Sequence, residues 1–143
     1  MTSERKEDYL KAIDLIVGRK GYAQVKDISK ELDVGPSSVT GMLKKLTDDG
    51  CINYEKYGGV TLTPLGKEIA NETREKYSTI RDFLTALGVD ENTAADDACK
   101  MEHIIASETY EKFVRFCSFA LTEKGALHLD SFRKYCDSEK PEK

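Results

Sequence analysis

Val25-Lys26-Asp27-Ile28-Ser29-Lys30-Glu31-Leu32-Asp33-Val34-Gly35-Pro36-Ser37-Ser38-Val39-Thr40-Gly41-Met42-Leu43-Lys44-Lys45-Leu46 decides the fold of this 143-residue chain. Val25, Ile28 and Leu32 recur at helical spacing, as do Val39, Met42, Leu43 and Leu46. Between them Asp33-Val34-Gly35-Pro36 breaks the period, and Gly50 closes the second run. Two short amphipathic helices across a tight glycine-containing turn form a helix-turn-helix.

Working outward, Tyr9, Ile13, Ile16 and Val17 mark one face of a preceding helix that ends before Gly21. On the other side, Cys51-Ile52-Asn53-Tyr54 and Val60-Thr61-Leu62 read as short strands joined through Gly58-Gly59. Three helices and a hairpin make a winged helix. Thr63 and Pro64 then supply an N-cap and a first-turn proline for a new helix. It runs through Leu65, Ile69, Tyr77, Ile80, Phe83, Leu84 and Leu87 to Gly88, about 36 Å at 1.5 Å per residue. A small domain does not cover that length, so the helix is expected to bridge to a partner or to the second half. Asp90 can cap a helix through Ala106, and Ser107 another through about Leu121. From Ser138 onward the chain is polar and expected to be disordered.

Net charge is −4, which by itself disfavours nucleic acid. Residues 1–70, however, carry 11 basic and 11 acidic side chains, so the acidic excess lies wholly in the second half. Phosphate binding depends on local cations and helix N-termini. An acidic second half suits a cation better than DNA. No stretch approaches the ~20 apolar residues that span a bilayer, and no apolar signal region follows Met1-Thr2-Ser3-Glu4-Arg5. A cytoplasmic protein without a membrane partner is expected. Cys51, Cys99, Cys117 and Cys136 contain no Cys-x-x-Cys pair, which argues against a zinc ribbon and gives no reason for a disulfide framework. Cys51 and Cys117 read as structural, Cys136 as exposed, and His128 as a surface residue.

In a winged helix the second helix of the motif enters the major groove with its N-terminal residues toward bases and phosphates. Here that start offers Ser37, Ser38 and Thr40, with Lys44 and Lys45 a turn further on and free N–H groups that favour an anion. Lys56 and Tyr57 in the wing can reach the backbone or minor groove. The same pattern is also found in docking modules that touch no DNA.

Cys99, Glu102 and His103 stand at i, i+3 and i+4, on one helical face. Thiolate, carboxylate and imidazole together suit Fe(II), Co(II), Ni(II) or Zn(II) rather than magnesium or calcium. A small buried cysteine beside a surface glutamate and histidine gives the same pattern. Cys99 and His103 as nucleophile and base would make an enzyme, but no third orienting group is present and no enzyme is expected.

Taken in order, Gly21-Tyr22-Ala23-Gln24-Val25-Lys26-Asp27-Ile28, Pro36-Ser37-Ser38-Val39-Thr40, Tyr54-Glu55-Lys56-Tyr57, Leu62-Thr63-Pro64-Leu65-Gly66-Lys67 and Cys99-Lys100-Met101-Glu102-His103 resemble the diphtheria toxin repressor family of metal-dependent transcriptional repressors. The likeness is to its short branch, the manganese transport regulators, and spans Glu7 to about Leu121. It implies a homodimer that binds a palindromic double-stranded operator when a divalent metal is bound, controlling metal-uptake genes. It also implies one metal site of Asp8, Cys99, Glu102 and His103, where Asp8 enters only through the resemblance. Asp8 matches the manganese branch and Cys99 the iron branch. The second-site ligands of either branch are absent, because Lys11, Tyr77, Arg81 and Ala95 stand at their positions. Fe(II) is the first expectation, with Mn(II), Co(II) and Zn(II) after it.

The fold class expected is therefore mainly α. A winged helix-turn-helix with a β-hairpin wing occupies residues 1–63, an all-α dimerisation and metal-binding domain residues 64–137, and a disordered tail residues 138–143. Two alternatives stand beside the metal-dependent repressor: a DNA-binding regulator whose degenerate site responds to oxidation at Cys99, and a metal-binding docking protein without an operator.

Overall fold

The computed structural model describes residues 4–55 and 58–139, with the side chains of Glu4, Glu102 and His103 outside that description. It is mainly α, with seven helices and one antiparallel hairpin among the described residues. Packing divides the chain into two compact units, residues 1–74 and 75–143.

In the first unit α1 (Glu4–Lys20), α2 (Val25–Leu32) and α3 (Pro36–Asp48) precede β1 (Ile52–Glu55) and β2 (Gly59–Leu62). The apolar period of each helix becomes its inner face: Tyr9, Leu10, Ile13 and Ile16 from α1, Ile28 from α2, and Val39, Leu43 and Leu46 from α3 are buried together. Ile52 and Val60 close this core from the hairpin and Ala70 from the next helix. The strands pair in the register Ile52↔Leu62 to Glu55↔Gly59. Ala23 adds a single bridge to Val60, with N···O distances of 2.9 and 2.7 Å.

The α2–α3 turn occupies Asp33-Val34-Gly35, with Pro36 opening α3. Asp33 occupies the left-handed region at φ 53, where aspartate is tolerated, whereas Gly35 has ordinary extended angles. Ser29 locks the turn by donating its hydroxyl to the Val34 carbonyl.

Helix α4 (Pro64–Leu87) starts where Thr63 predicted. The Thr63 hydroxyl donates to Gly50 O at 2.6 Å and accepts the Gly66 N–H at 3.2 Å, tying the hairpin exit to its entry. Gly66 is needed there for close approach, since a Cβ on it would lie 2.0 Å from the Cys51 carbonyl oxygen.

The second unit contains the later part of α4 with α5 (Glu91–Ile104), α6 (Ser107–Ala120) and α7 (Glu123–Ser138). Ile80, Phe83, Ala98, Tyr110, Cys117 and Ala120 form its core. Asp90 caps α5 as expected, accepting from the Asn92 and Thr93 amides. The N-cap of α6 is Ala106, one residue earlier than the serine expected. Helix α7 was not anticipated as an element. Thr122 caps it by accepting the Gly125 N–H at 3.1 Å, and Arg133 donates to the Ala86 carbonyl in the last turn of α4. Residues 140–143 of the expected tail lie outside the described residues.

Candidate nucleic-acid interface and metal centre

Helix α3 turns Val39, Leu43 and Leu46 inward, fully buried. At about 100° per residue the opposite side then carries Ser37 and Gly41, flanked by Ser38, Thr40, Lys44 and Lys45. All six are exposed. The first turn is shaped for an anion by what it lacks. Gly35 is the N-cap and has no side chain to accept the first amides, and Pro36 contributes no N–H. A serine or aspartate at the cap would accept from the Ser37 or Ser38 amide; with glycine there, the Ser38 and Val39 amides donate to the Gly35 carbonyl at 3.1 and 3.2 Å, and the Ser37 amide is left for a phosphate oxygen. The sequence signal was present in Gly35-Pro36, although Gly35 was read only as part of a turn.

The hydroxyls are not equivalent. Thr40 donates to the Pro36 carbonyl of its own helix at 3.0 Å, so in this rotamer it offers lone pairs and a methyl but no proton. A phosphate accepts only, which leaves Ser37, Ser38 and the two lysines as the donors on this face. Lys56 and Tyr57, the expected wing contacts, lie outside the described residues. The adjoining Tyr54 is 41% exposed.

The α1–α2 corner keeps α2 in place behind α3. Lys20 pairs with Asp27 at 2.9 Å and stands over the Tyr22 ring, 5.1 Å from its centroid. The Asp27 carboxylate also accepts the Gln24 N–H at 3.0 Å. The Lys20 hydrogen bond, with the Gln24 amide behind it, holds the Asp27 carboxyl below its ordinary value.

The expected metal ligands sit on α1 and α5. Asp8 is half-buried in α1 of the first unit, and the thiol-bearing Cys99 is exposed in α5 of the second. Residues 99, 102 and 103 are all within α5, so their backbone positions share one face. Among the described residues no three His, Cys, Asp or Glu side chains gather where they could hold a metal; those of Glu102 and His103 are outside the description. The donor set itself fits a divalent transition metal, and the exposed thiol is open to one. At the positions that break the family pattern, Arg81 bonds Asp82 at 3.0 Å and stands 5.5 Å from the Tyr77 ring centroid. The Asp82 hydrogen bond raises the Arg81 pKa, so this position carries a permanent cation.

The other thiols follow expectation. Cys51 and Cys117 are buried and Cys136 is exposed. Burial pushes the Cys117 thiol up to about 11. His128 is exposed and lies 5.8 Å from the Phe119 ring, on the rim of an apolar groove of about 590 Å³. Phe83, Leu87, Phe116, Leu129 and Phe132 line that groove.

Residues 1–60 match the family described as iron dependent repressor, N-terminal DNA binding domain. Residues 63–124 match iron dependent repressor, metal binding and dimerisation domain. The chain is 40% identical over 137 residues to the HTH-type transcriptional regulator MntR of Bacillus pumilus (strain SAFR-032), covering 94% of each. Among solved structures it is similar to the IdeR protein of T. acidophilum, with 30% identity, a TM-score of 0.65, and coverage of 80% of this chain and 55% of that one. It is likewise similar to the manganese regulator SloR, with 28% identity, a TM-score of 0.64, and coverage of 83% and 55%. This chain thus spans about half the length of those two structures.

Proposed function

The chain belongs to the iron dependent repressor family, and from that premise we propose a working scheme for its parts. It is a metal-dependent transcriptional repressor with a DNA-binding domain and a metal-binding and dimerisation domain. In our reading residues 1–63 meet the DNA, residues 64–137 sense metal and self-associate, and residues 138–143 are a tail.

The observation that carries this reading is the outward face of α3 within the matched DNA-binding domain. Its uncapped first turn, Ser37, Ser38, Lys44 and Lys45 present donors to phosphate and base edges. Thr40 offers its methyl and lone pairs to a base, and Lys56 and Tyr57 extend the contact from the wing. Two copies in a homodimer would set two such helices on the half-sites of a palindromic operator. The exposed apolar groove of the second unit supports self-association, because a monomer gains nothing from displaying Phe116 and Phe132 to water.

Asp8, Cys99, Glu102 and His103 would hold the metal. When bound, it supplies a fixed link between α1 and α5. The residues on α1 then orient the winged helix, and those on α5 fix it to the dimer, so that one spacing of the two recognition helices is favoured. Such a link shifts the equilibrium only by its differential affinity, ordinarily about 1–3 kcal/mol. The Cys99 thiolate supports Fe(II), and the likeness to a manganese regulator supports Mn(II). No described helix is long and apolar enough to cross a membrane. We place the protein in the cytoplasm, acting on metal-uptake genes.

The test is an anaerobic titration of metal-free protein with Fe(II), Mn(II), Co(II) and Zn(II), read by anisotropy of a labelled operator duplex. Binding that appears at one equivalent per chain and is lost in Cys99→Ala supports the scheme. Equal binding with and without every metal removes the metal switch. The exposure of Cys99 favours one second reading, an oxidant-responsive regulator. It predicts that peroxide, rather than metal, changes operator affinity.

A further inference from the structure

Among the described residues Asp14 is the one buried charged side chain, 6% exposed. Each carboxylate oxygen takes its own cation. Lys67 Nζ lies 2.7 Å from Oδ1, and the Arg74 guanidinium bonds Oδ2. Asp14 is on α1, and both cations are on α4, about two turns apart on one side of that helix. Burial alone would raise the Asp14 carboxyl, but the hydrogen bonds and charges of Lys67 and Arg74 outweigh it and hold the group ionised below its ordinary value.

This joint is an expensive way to hold two helices together. Leu10, Ile13 and Ile16 already bury α1, and an apolar residue at position 14 would join that core without desolvating a charge. Only the carboxylate is buried, the Lys67 and Arg74 side chains being 56% and 44% exposed, so a slip of α1 over α4 would strand that one charge away from water without its partners. Apolar contact tolerates sliding; a carboxylate held between two cations does not.

We propose that Asp14 is a positioning residue that makes α1 and the first turns of α4 move as one body. The inference rests on the reading that Asp8, further toward the start of α1, is a metal ligand. A restraint applied at Asp8 then reaches α4, which continues without a break into the second unit, instead of being lost as slippage of α1 over α4. Asp14 touches neither metal nor DNA, and it sets how much of the metal's effect reaches the operator.

The experiment measures operator affinity with and without saturating Mn(II), and Mn(II) affinity of free and operator-bound protein, for the full chain and for Asp14→Asn. The expected result is a fall of at least about five-fold in the metal stimulation of operator binding, with free-protein Mn(II) affinity within about two-fold of the parent. By linkage the Mn(II) affinity of the operator complex falls by the same factor as the stimulation. Arg74→Gln should reproduce the loss and Arg74→Lys restore it. A role in stability alone would lower the melting temperature without changing the stimulation ratio. Because Arg74 is largely exposed, the Arg74 pair carries the test if Asp14→Asn does not fold. A metal-responsive parent with a folded Asp14→Asn or Arg74→Gln of equal stimulation overturns this inference alone. A parent that no metal stimulates overturns the functional reading and the inference with it.

Discussion

Replacing Lys44 and Lys45 together with alanine tests whether α3 meets the DNA backbone. Both side chains are exposed and neither belongs to the core that Val39, Leu43 and Leu46 build. Alanine is the best helix former, so α3 itself is not weakened. Each phosphate neutralised by a lysine contributes about −0.9 to the slope of log affinity against log salt. The variant removes two cations per chain, and a dimer on its operator contains two chains. If all four reach phosphates, the slope becomes shallower by about 3.6. Between about 50 and about 200 mM salt, the ratio of wild-type to variant affinity should then shrink by roughly 150-fold. Anisotropy of a labelled operator duplex across a salt series, at saturating metal, gives both slopes directly. Single variants divide the effect. Lys44 and Lys45 flank the direction opposite the buried face about equally, so Lys44→Ala and Lys45→Ala should each give about half of the change in slope. A double variant with the wild-type slope would mean that these lysines face solvent in the complex and that α3 does not dock on the phosphates.

Three further outcomes follow from the packing and the charges. Gly66→Ala should lower the melting temperature although alanine favours helix by about 1 kcal/mol, because its Cβ would meet the Cys51 carbonyl at 2.0 Å; overpacking of that kind costs about 1–3 kcal/mol, and a rise in melting temperature would refute the close approach. The Asp14 carboxyl titrates lower in the folded chain than in the unfolded one, so its contribution is complete above the unfolded value of about 3.9 and is lost as pH falls through the folded value. Denaturant unfolding of wild type and Asp14→Asn should therefore converge in strong acid and differ by a constant amount from about pH 5 to pH 7; a difference that persists undiminished in strong acid counts against the pairing. At neutral pH an alkylating reagent should modify Cys99 and Cys136 and spare Cys51 and Cys117, which are buried and whose thiols burial pushes upward. Added metal should protect Cys99 and leave Cys136 unchanged, and a Cys99 rate indifferent to metal would remove the thiolate from the site.

The parts of the fold legible in the sequence are those whose signal is local and periodic. Tyr9, Ile13 and Ile16 gave α1, Val39, Leu43 and Leu46 gave α3, and Thr63-Pro64 placed the start of α4, because burial on one helical face imposes its spacing on the chain. Helix α7 escaped because its apolar positions are thinly set among charges and half-exposed; Leu127, Phe132 and Tyr135 remain in water. Its cap, Thr122, was nevertheless a readable signal. Asp14 escaped for a different reason. Within α1 it reads as a polar interruption, and its partners Lys67 and Arg74 are brought to it only by the tertiary fold. For the site, the Cys99, Glu102 and His103 spacing was visible in the residues, whereas Asp8 came only with the family likeness. No local pattern joins α1 to α5.

The bridge between Ala23 and Val60 bears on how the protein behaves when crowded. A lone hairpin has two open edges, each a row of unpaired amides and carbonyls on which another chain can add a strand. Here Ala23 occupies the outer edge of β2 with two hydrogen bonds. That bridge covers the Val60 position of β2, while along β1 Asn53, Tyr54 and Glu55 are exposed and end in a carboxylate. A charged, four-residue edge is a poor template for strand addition. The residue between α1 and α2 thus protects the wing against edge-to-edge aggregation, and Ala23→Pro, which removes one of the two hydrogen bonds, would be expected to show its damage first as turbidity at high concentration.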